Sequence, residues 1–355
     1  GVAAEFTDAT VEVDTSARRY TVSAGARWRD VLPALDPHGL SPAVTQSNND
    51  FSVGGAISVN AHGWAVPRGP VGDTVVSLRV MTADGEILTC SPTENRDLFR
   101  HVVGGYGLFG AILQAEMEAA PNRLLQAERV QLPASTFAGR FVQTVHQPGV
   151  NLAYGRLSTA RRGFLEQATL TTHREAAGAP PPLSVAGGLD GLGRRAFRAQ
   201  TGSEPGKQFR WWAETHLMSG TGTATRNSLM NVPTASFAGT DPGRTDILHE
   251  YFVPPEALNA FLTACRRIIP ASRQDLLNLT LRWVEADRHS QLCFAPDSRI
   301  ALVMLFSQRI SPVDEVDMRA MTRDLIDAAL DVGGSFYLPY RLHARPDQLL
   351  RAYPA

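Results

Sequence analysis

Two glycine-rich segments contain the residues best suited to hold a flat, phosphorylated ligand. The first, residues 46–63, reads QSNNDFSVGGAISVNAHG and mixes small residues, amides and a histidine. Glycine permits close backbone approach and positive φ, and consecutive free N–H groups can bind a pyrophosphate or the polar edge of a ring. The segment therefore predicts backbone lying against a ligand, although a tight turn would use the same glycine pair.

The second segment, residues 103–114, reads VGGYGLFGAILQ. A Rossmann dinucleotide loop leaves a strand and opens a helix. Here the glycines follow a helical segment, residues 95–102, and lead into an apolar strand. The context therefore excludes a Rossmann loop.

The surrounding pattern predicts a mixed first lobe. Short β-rich runs alternate with glycine and proline, and Asp84-Gly85 lies between two apolar runs as a hairpin turn would. Apolar residues at helical intervals stop at Pro37 and Gly39. We expect strands over residues 10–13, 20–24, 75–82 and 86–90, and a helix over residues 28–35.

A second pattern begins after Pro121, where we place a domain boundary between residues 1–121 and 122–355. Residues 176–207 have weak periodicity and predict a long mobile loop. The fold class expected is α+β, with an antiparallel sheet covered by helices in the second lobe. Its predicted strands and helices are residues 127–132, 247–253, 277–284 and 300–306, and residues 254–268 and 313–331.

Composition excludes several classes of protein. Hydrophobic residues make up 43% and charged residues 19% of the 355, an ordinary globular balance, and a net charge of −1 gives no global attraction to nucleic acid. Three isolated cysteines indicate no disulfide scaffold. The absence of a long apolar run predicts a soluble, cytoplasmic chain. Neither paired histidines for a metal nor a GxSxG elbow is present.

In their order, the two glycine segments resemble the cofactor domain of FAD-linked oxidoreductases of the vanillyl-alcohol-oxidase superfamily, a PCMH-type FAD-binding domain. Gly54-Gly55 followed by His62-Gly63 is most similar to the oxidases of sugars, alditols and aldonolactones and to decaprenylphosphoryl-ribose oxidase. The segment EYFVP, residues 250–254, is similar to a strand of the same branch. FAD is therefore the expected cofactor.

The resemblance implies which residues would contact the cofactor. In that family the first loop runs past the flavin ring and pyrophosphate, and the backbone of the second meets the adenine end. The residues carried over are Ser47, Ser52, Gly54, Gly55, Asn60, His62, Gly63, Gly105, Gly107, Gly110 and Ile112.

Oxidation of an alcohol by FAD needs a group that takes or orients the hydroxyl proton. The resemblance suggests Glu285 as the acidic residue of the substrate strand, with Tyr340, His62 and Arg282 as further catalytic candidates. Arg282 and Glu285 are three positions apart and would face opposite sides of a regular strand. The substrate-binding candidates are Glu250, Arg341 and His343.

Family members begin with a further subdomain that this sequence lacks, so the resemblance implies a chain truncated at its N-terminus and at its C-terminus. The expected activity is hydride removal from a CH–OH group of a sugar, alditol, aldonolactone or sugar-lipid, with oxygen or another electron acceptor. Two alternatives stay open. One is a sugar-lipid dehydrogenase that docks on a membrane through Arg194, Arg195 and Arg198 beside Leu192 and Phe197, and the other is a non-catalytic flavoprotein remnant.

Overall fold

The structure, a computed structural model, describes residues 6–184, 192–217, 222–236 and 238–354. Within these residues the chain forms two largely separate antiparallel sheets with helices packed against them. The predicted α+β class is therefore confirmed.

The first sheet has the strand order β1-β2-β6-β4-β5, and β3 pairs with β6 beside that path. β4 and β5 form the hairpin predicted at Asp84-Gly85, where Gly85 has φ +87°. The strands are β1 (Val11–Asp14), β2 (Arg19–Ser23), β3 (Leu40–Pro42), β4 (Val75–Met81), β5 (Ile87–Cys90) and β6 (Ala111–Pro121).

The second sheet has the order β10-β7-β9-β8-β12-β13-β11-β14. The chain passes into it between Pro121 and Leu124, while the division into domains 1–121 and 122–355 stays a prediction. The strands are β7 (Leu124–Pro133), β8 (Val150–Leu157), β9 (Gln167–Glu175), β10 (Thr223–Thr225), β11 (Arg244–Val253), β12 (Asp275–Val284), β13 (Arg299–Arg309) and β14 (Ser335–Phe336).

Helices cover one face of the second sheet and flank the first. α1 has the predicted bounds, and α3 precedes the second glycine segment, which leads into β6 as expected. The helices described are α1 (Trp28–Leu35), α2 (Val53–Ser58), α3 (Arg96–Val102), α4 (Ala134–Val145), α5 (Leu192–Arg198), α6 (Glu204–Trp212), α7 (Arg226–Met230), α8 (Leu258–Ala271), α9 (Pro312–Asp331) and α10 (Pro346–Ala352).

The predicted loop over residues 176–207 is wrong for its second half. α5 and α6 occupy residues 192–198 and 204–212, and the Ser203 hydroxyl accepts a hydrogen bond from Gly206 N at the start of α6. A capping serine and a proline in the first turn start a helix even where apolar periodicity is weak. Residues 185–191 of this segment lie outside the described residues.

The alternation of side chains along the second sheet separates a core from an open face. On β12, Leu279, Leu281 and Trp283 point into the core beneath α4, α8 and α9. Asn278, Thr280 and Arg282 point the other way, as the period of two along a strand requires. The open face is turned toward the first lobe.

Candidate active site

A cavity of about 840 Å³ lies between the first glycine segment and the open face of the second sheet. One wall is formed by Ser47, Gly55 and His62, and the facing wall by alternate residues of β8, β11, β12 and β13. A site of this kind, at the junction of two lobes and mostly apolar with a few convergent polar groups, is typical of ligand binding.

A buried acid–histidine pair joins the two walls. His62 Nε2 lies 2.5 Å from Glu250 Oε1, and the Tyr340 hydroxyl donates to Glu250 Oε2 over 3.1 Å. The His62 and Glu250 side chains are each 3% exposed. His62 comes from the loop after α2 and Glu250 from the centre of β11, so docking of the lobes assembles the pair.

Glu250 keeps its negative charge despite this burial. Burial, the strongest influence, favours the protonated carboxyl, but the charge and hydrogen bond of His62, the charge of Arg282 and the Tyr340 hydroxyl together hold the pKa of Glu250 below its usual range. Burial and the nearby Glu250 charge raise the pKa of Tyr340 well above its usual range. The site therefore contains an ionised carboxylate and a neutral phenol at neutral pH.

Arg282 adds a positive charge on the same face. Within the described residues its guanidinium has neither a hydrogen-bond acceptor nor an ion-pair partner at contact distance, although Glu250 attracts it. Burial lowers the pKa of Arg282, against the opposing effect of Glu250. Its N–H groups are available to a bound molecule.

The structure places Glu285, the predicted acidic residue of the substrate strand, away from the cavity. Glu285 follows the end of β12 and lies on the Trp283 face, where it accepts hydrogen bonds from Trp283 Nε1 (2.8 Å) and Ser298 Oγ (2.6 Å). His146, just after α4, is 3.7 Å from the same carboxylate. Glu285 therefore belongs to the helix-covered side of the sheet.

The structure also places Arg341 and His343, the predicted substrate-binding residues, away from the cavity. Arg341 Nη1 donates to Glu315 Oε2 over 2.7 Å, and His343 Nε2 lies 2.9 Å from Glu315 Oε1. Glu315 is on α9, on the helix-covered side. These contacts fix the loop that presents Tyr340, while Arg341 and His343 themselves point away from the cavity.

Four of the predicted cofactor residues line the cavity: Ser47, Ser52, Gly55 and His62. Ser52 also begins α2, where its hydroxyl accepts from Gly55 N. The Ser47 hydroxyl is buried and has no hydrogen-bond partner within the described residues. Because buried polar atoms are nearly always paired, this hydroxyl indicates a site for a polar ligand.

Other residues of the first segment support the loop from behind. A Cβ on Gly54 would lie 2.7 Å from Ala24 Cβ, and one on Gly63 would lie 2.3 Å from Thr45 O, so both glycines permit close backbone packing. Asn60 Oδ1 accepts from Gly72 N, and its Nδ2 donates to Asp287. These three residues do not line the cavity.

The second glycine segment lies outside the cavity as well. Ile112 is buried in the core of the first lobe, and a Cβ on Gly105 would lie 1.7 Å from His101 O. Gly107 and Gly110 have φ +74° and +149°. Contact of the residues Gly105, Gly107, Gly110 and Ile112 with the adenine end of FAD stays a prediction.

Three residues of the facing cavity wall are absent from the candidates that the sequence suggests. Tyr154 and Arg156 project from β8, and Arg210 projects from α6. The alternation in residues 150–157 is a signal for a strand, but Gly155 interrupts it. That glycine is required because a Cβ there would lie 2.2 Å from the Phe137 ring.

Two residues proposed for membrane docking are turned inward. Phe197 lines the cavity, and Arg198 pairs with Asp246 on β11. Among the described residues no helix is long and apolar enough to span a membrane. The same part of the chain contains no cluster of three side chains suited to hold a metal ion.

Comparison with known proteins identifies the first lobe. Residues 3–91 match the family described as FAD binding domain. Mouse L-gulonolactone oxidase is 34% identical over 112 residues, which cover 32% of this chain and 26% of that protein. Cytokinin dehydrogenase 4 of Arabidopsis thaliana is 33% identical over 164 residues, 44% of this chain and 31% of that protein.

D-arabinono-1,4-lactone oxidase of Yarrowia lipolytica is 41% identical over 101 residues, 28% of this chain and 19% of that protein. The chain thus spans less than a third of each of these relatives. Residues 3–91 thus carry an FAD-binding domain, and the predicted resemblance to the vanillyl-alcohol-oxidase superfamily is confirmed.

The FAD-binding domain of residues 3–91 identifies FAD as the cofactor, and the cavity fits it. Gly55 leaves the wall of the first lobe without a side chain, and among the described residues a Cβ there would approach only Ser52 Oγ, at 2.9 Å. The unpaired Ser47 hydroxyl supplies a polar contact on the same wall. These residues and Ser52 would hold the part of FAD that lies along the first glycine segment.

Proposed function

We propose that this protein is an FAD-dependent oxidoreductase that takes hydride from a CH–OH group of a sugar, alditol or aldonolactone. The observation that carries the proposal is the ionised Glu250, held by His62 and Tyr340 in a cavity walled by the FAD-binding loop. The lactone-oxidase relatives support the substrate class. An electron acceptor, oxygen or another oxidant, completes the turnover.

The bound flavin supplies the hydride-accepting atom. Loss of hydride from an alcohol carbon also requires loss of the hydroxyl proton, and Glu250 is the group proposed to accept it. Its lowered pKa keeps the carboxyl deprotonated, and so able to accept a proton, at neutral pH. Arg282, on the cavity wall, would donate hydrogen bonds to the substrate oxygens, while Tyr340, through its one hydroxyl proton, and His62 would hold the carboxylate in place.

The polar groups of the open face favour a substrate with several hydroxyls. Asn278, Thr280 and Arg282 follow one another on the same face of β12. Asn278 already pairs with Arg210 and Thr280. A ligand without polar atoms would therefore leave chiefly the Arg282 N–H groups unpaired, at a cost of roughly 1–3 kcal/mol. A polyol or sugar ring supplies both donors and acceptors to such a row.

Replacement of Glu250 by glutamine tests the proposed base. Glu250→Gln keeps the side chain's size but removes its charge, so flavin reduction should slow by about 100-fold or more while FAD stays bound. Stopped-flow absorbance under anaerobic conditions measures this step. The reductant is the compound that reduces the parent's flavin fastest among a panel of sugars, alditols, aldonolactones and a cytokinin.

Glu285→Gln is the matched control, since Glu285 lies on the opposite side of the sheet, and it should reduce at the parent rate. Equal rates in Glu250→Gln and the parent would contradict the assignment. A flavin that is bleached by the cytokinin and by no hydroxyl compound would contradict the substrate class, and one that no compound bleaches would indicate a non-catalytic flavoprotein.

A further inference from the structure

The end of the cavity away from Glu250 is cationic. Thr280 of β12 pairs with Arg156 of β8, and Arg282 pairs with Tyr154. Arg210 reaches the next position on the open face, where its Nη2 donates to Asn278 Oδ1 over 3.0 Å. Three arginines therefore face the cavity along one line of the sheet.

Arg210 has only neutral hydrogen-bond partners. Its Nη1 donates to Gln200 Oε1 (3.0 Å) and to Leu277 O (2.8 Å), in addition to the Nη2 bond to Asn278. No carboxylate among the described residues lies within 4.0 Å of it. Two of the five N–H groups of its guanidinium remain without an acceptor there.

Arg156 lies beside the carboxylate of Glu214, while Asp246, a carboxylate that also lines the cavity, pairs with Arg198. Arg156 Nε lies 3.5 Å from Glu214 Oε1, outside good hydrogen-bond geometry, and Glu214 is itself 7% exposed. Burial, then repulsion from Arg156, lowers the pKa of Arg210 to about 10. Two guanidinium groups and one carboxylate thus leave a net positive charge in a partly desolvated place.

We propose that Arg156 and Arg210 form a subsite for an anionic group of the substrate, a phosphate or a carboxylate carried beyond the reacting carbon. This proposal rests on the proposed function for the reacting end at Glu250. Guanidinium groups bind both anions through charge-assisted hydrogen bonds. An anion here would pair the free N–H groups of Arg210 and relieve its repulsion with Arg156.

The strand geometry sets the size of the substrate. Asn278, which contacts Arg210, is four residues from Arg282, which is a span of roughly 13 Å at the rise of a β-strand. A sugar at Glu250 and Arg282 with an anion several bonds away would reach both ends. The substrate class is therefore a sugar or sugar acid that bears a negative charge distant from the oxidised hydroxyl.

Calorimetric titration of the protein as isolated with inorganic phosphate tests the subsite without turnover. Arg210→Gln should weaken phosphate binding by about tenfold or more, because it removes charge-assisted hydrogen bonds. Glu214→Gln should strengthen it several-fold, because it removes the carboxylate that competes for Arg156. This opposite sign is not expected of a merely structural role, and Glu214 makes no side-chain hydrogen bond within the described residues, so its variant should fold.

Arg309 is exposed at the end of β13. Arg309→Gln removes the same charge as Arg210→Gln and should leave phosphate binding unchanged. Competition of glucose 6-phosphate and of gluconate, each against glucose, separates a phosphate from a carboxylate source. Flavin absorption of each variant is recorded in parallel. The subsite is overturned if phosphate does not bind the parent or if Glu214→Gln does not bind it more tightly. Loss of FAD from Arg210→Gln would also overturn it, because the arginines would then belong to the cofactor site. Phosphate binding with no flavin reduction by any sugar would sustain the subsite and contradict only the proposed function.

Discussion

Glu250 is a buried carboxylate that stays charged because polar and charged neighbours stabilise its ionised form. Isolated in this cavity, the carboxyl would be driven toward its neutral form. His62 and Tyr340 bond its two oxygens, and Arg282 adds a positive field, so its pKa lies below the usual range. One acid, one cation and one phenol therefore define the reacting end.

Asp73 shows the opposite behaviour. Burial, then the nearby Asp287 charge, raises its pKa to about 7, against the opposing effects of Arg288 and Arg68. Its Oδ1 is buried without a hydrogen-bond partner within the described residues, and the imidazole Nε2 of His289 lies 4.0 Å away. Ionised Asp73 is therefore a cost to the folded state.

This shift predicts a pH-dependent gain from Asp73→Asn. The folded state holds the Asp73 proton up to a pH of about 7, whereas the unfolded state loses it near the ordinary carboxyl pKa of 3.8, so the parent's stability falls as pH rises through this window. Asp73→Asn should be more stable than the parent at pH 8, by at most about 4 kcal/mol, and equal to it near pH 4.

Urea unfolding across pH 4–8 measures the difference. Asp324→Asn, the same change at an exposed position of α9, should show no such slope. A constant difference between Asp73→Asn and the parent over the whole range would contradict the raised pKa.

At the scale of elements, the two glycine segments differ in what occupies the space beside their glycines. Gly55 lies in α2 with its missing side chain directed at the cavity, whereas Gly105 packs against the last turn of α3. Both glycines are expected from sequence to serve the cofactor. Their surroundings show that one leaves room for a ligand and the other leaves room for the chain itself.

Valine at these positions should therefore have separable effects. Gly55→Val should weaken FAD binding at least about tenfold with little change in the stability of the flavin-free protein, because its branched side chain fills ligand space. Gly105→Val should lower the melting temperature, because its Cβ would lie 1.7 Å from His101 O. Flavin absorbance and thermal unfolding measure the two effects.

Gly139→Val is the control, since a Cβ there meets nothing within 4 Å on the exposed side of α4. Its flavin content should match the parent's. Full FAD occupancy in Gly55→Val would show that the cofactor does not pass this glycine.

At the scale of the whole molecule, buried polar contacts hold the lobes together. Arg226, 3% exposed, donates to Ser41 Oγ (3.2 Å), Pro42 O (3.3 Å) and Ala43 O (2.6 Å) in the first lobe. The neighbouring Asn227 donates to Leu40 O over 2.9 Å. Because the walls of the cavity belong to different lobes, these contacts also determine its width.

Arg226→Met should destabilise the protein by about 2–3 kcal/mol, because it leaves buried carbonyl groups without their charged donor. Urea unfolding followed by tryptophan fluorescence measures the loss. Arg29→Met, at a half-exposed ion pair on the surface of the first lobe, should cost less than about 1 kcal/mol. Equal stability of the two variants would contradict a structural role for Arg226.

The sequence alone determined most local structure and the cofactor family. α1, the β4–β5 hairpin and the helix–glycine–strand order around residues 95–121 were predicted correctly, because periodicity and turn chemistry act within a few residues. β8 and β9 were not predicted. Gly155 breaks the strand pattern of β8 for a reason that lies in α4, 18 residues away in sequence at Phe137.

The tertiary structure decided which carboxylate and which cations face the cavity. A period of two places Arg282 and Glu285 on opposite sides of a strand, but it does not tell which side the first lobe will cover. The first lobe, held by Arg226 and Asn227, covers the side of the sheet that bears Arg282 and Glu250. Helices α4, α8 and α9 cover the side on which Glu285 lies. Such a choice depends on contacts between residues nearly 200 positions apart, as between His62 and Glu250, which no local pattern records.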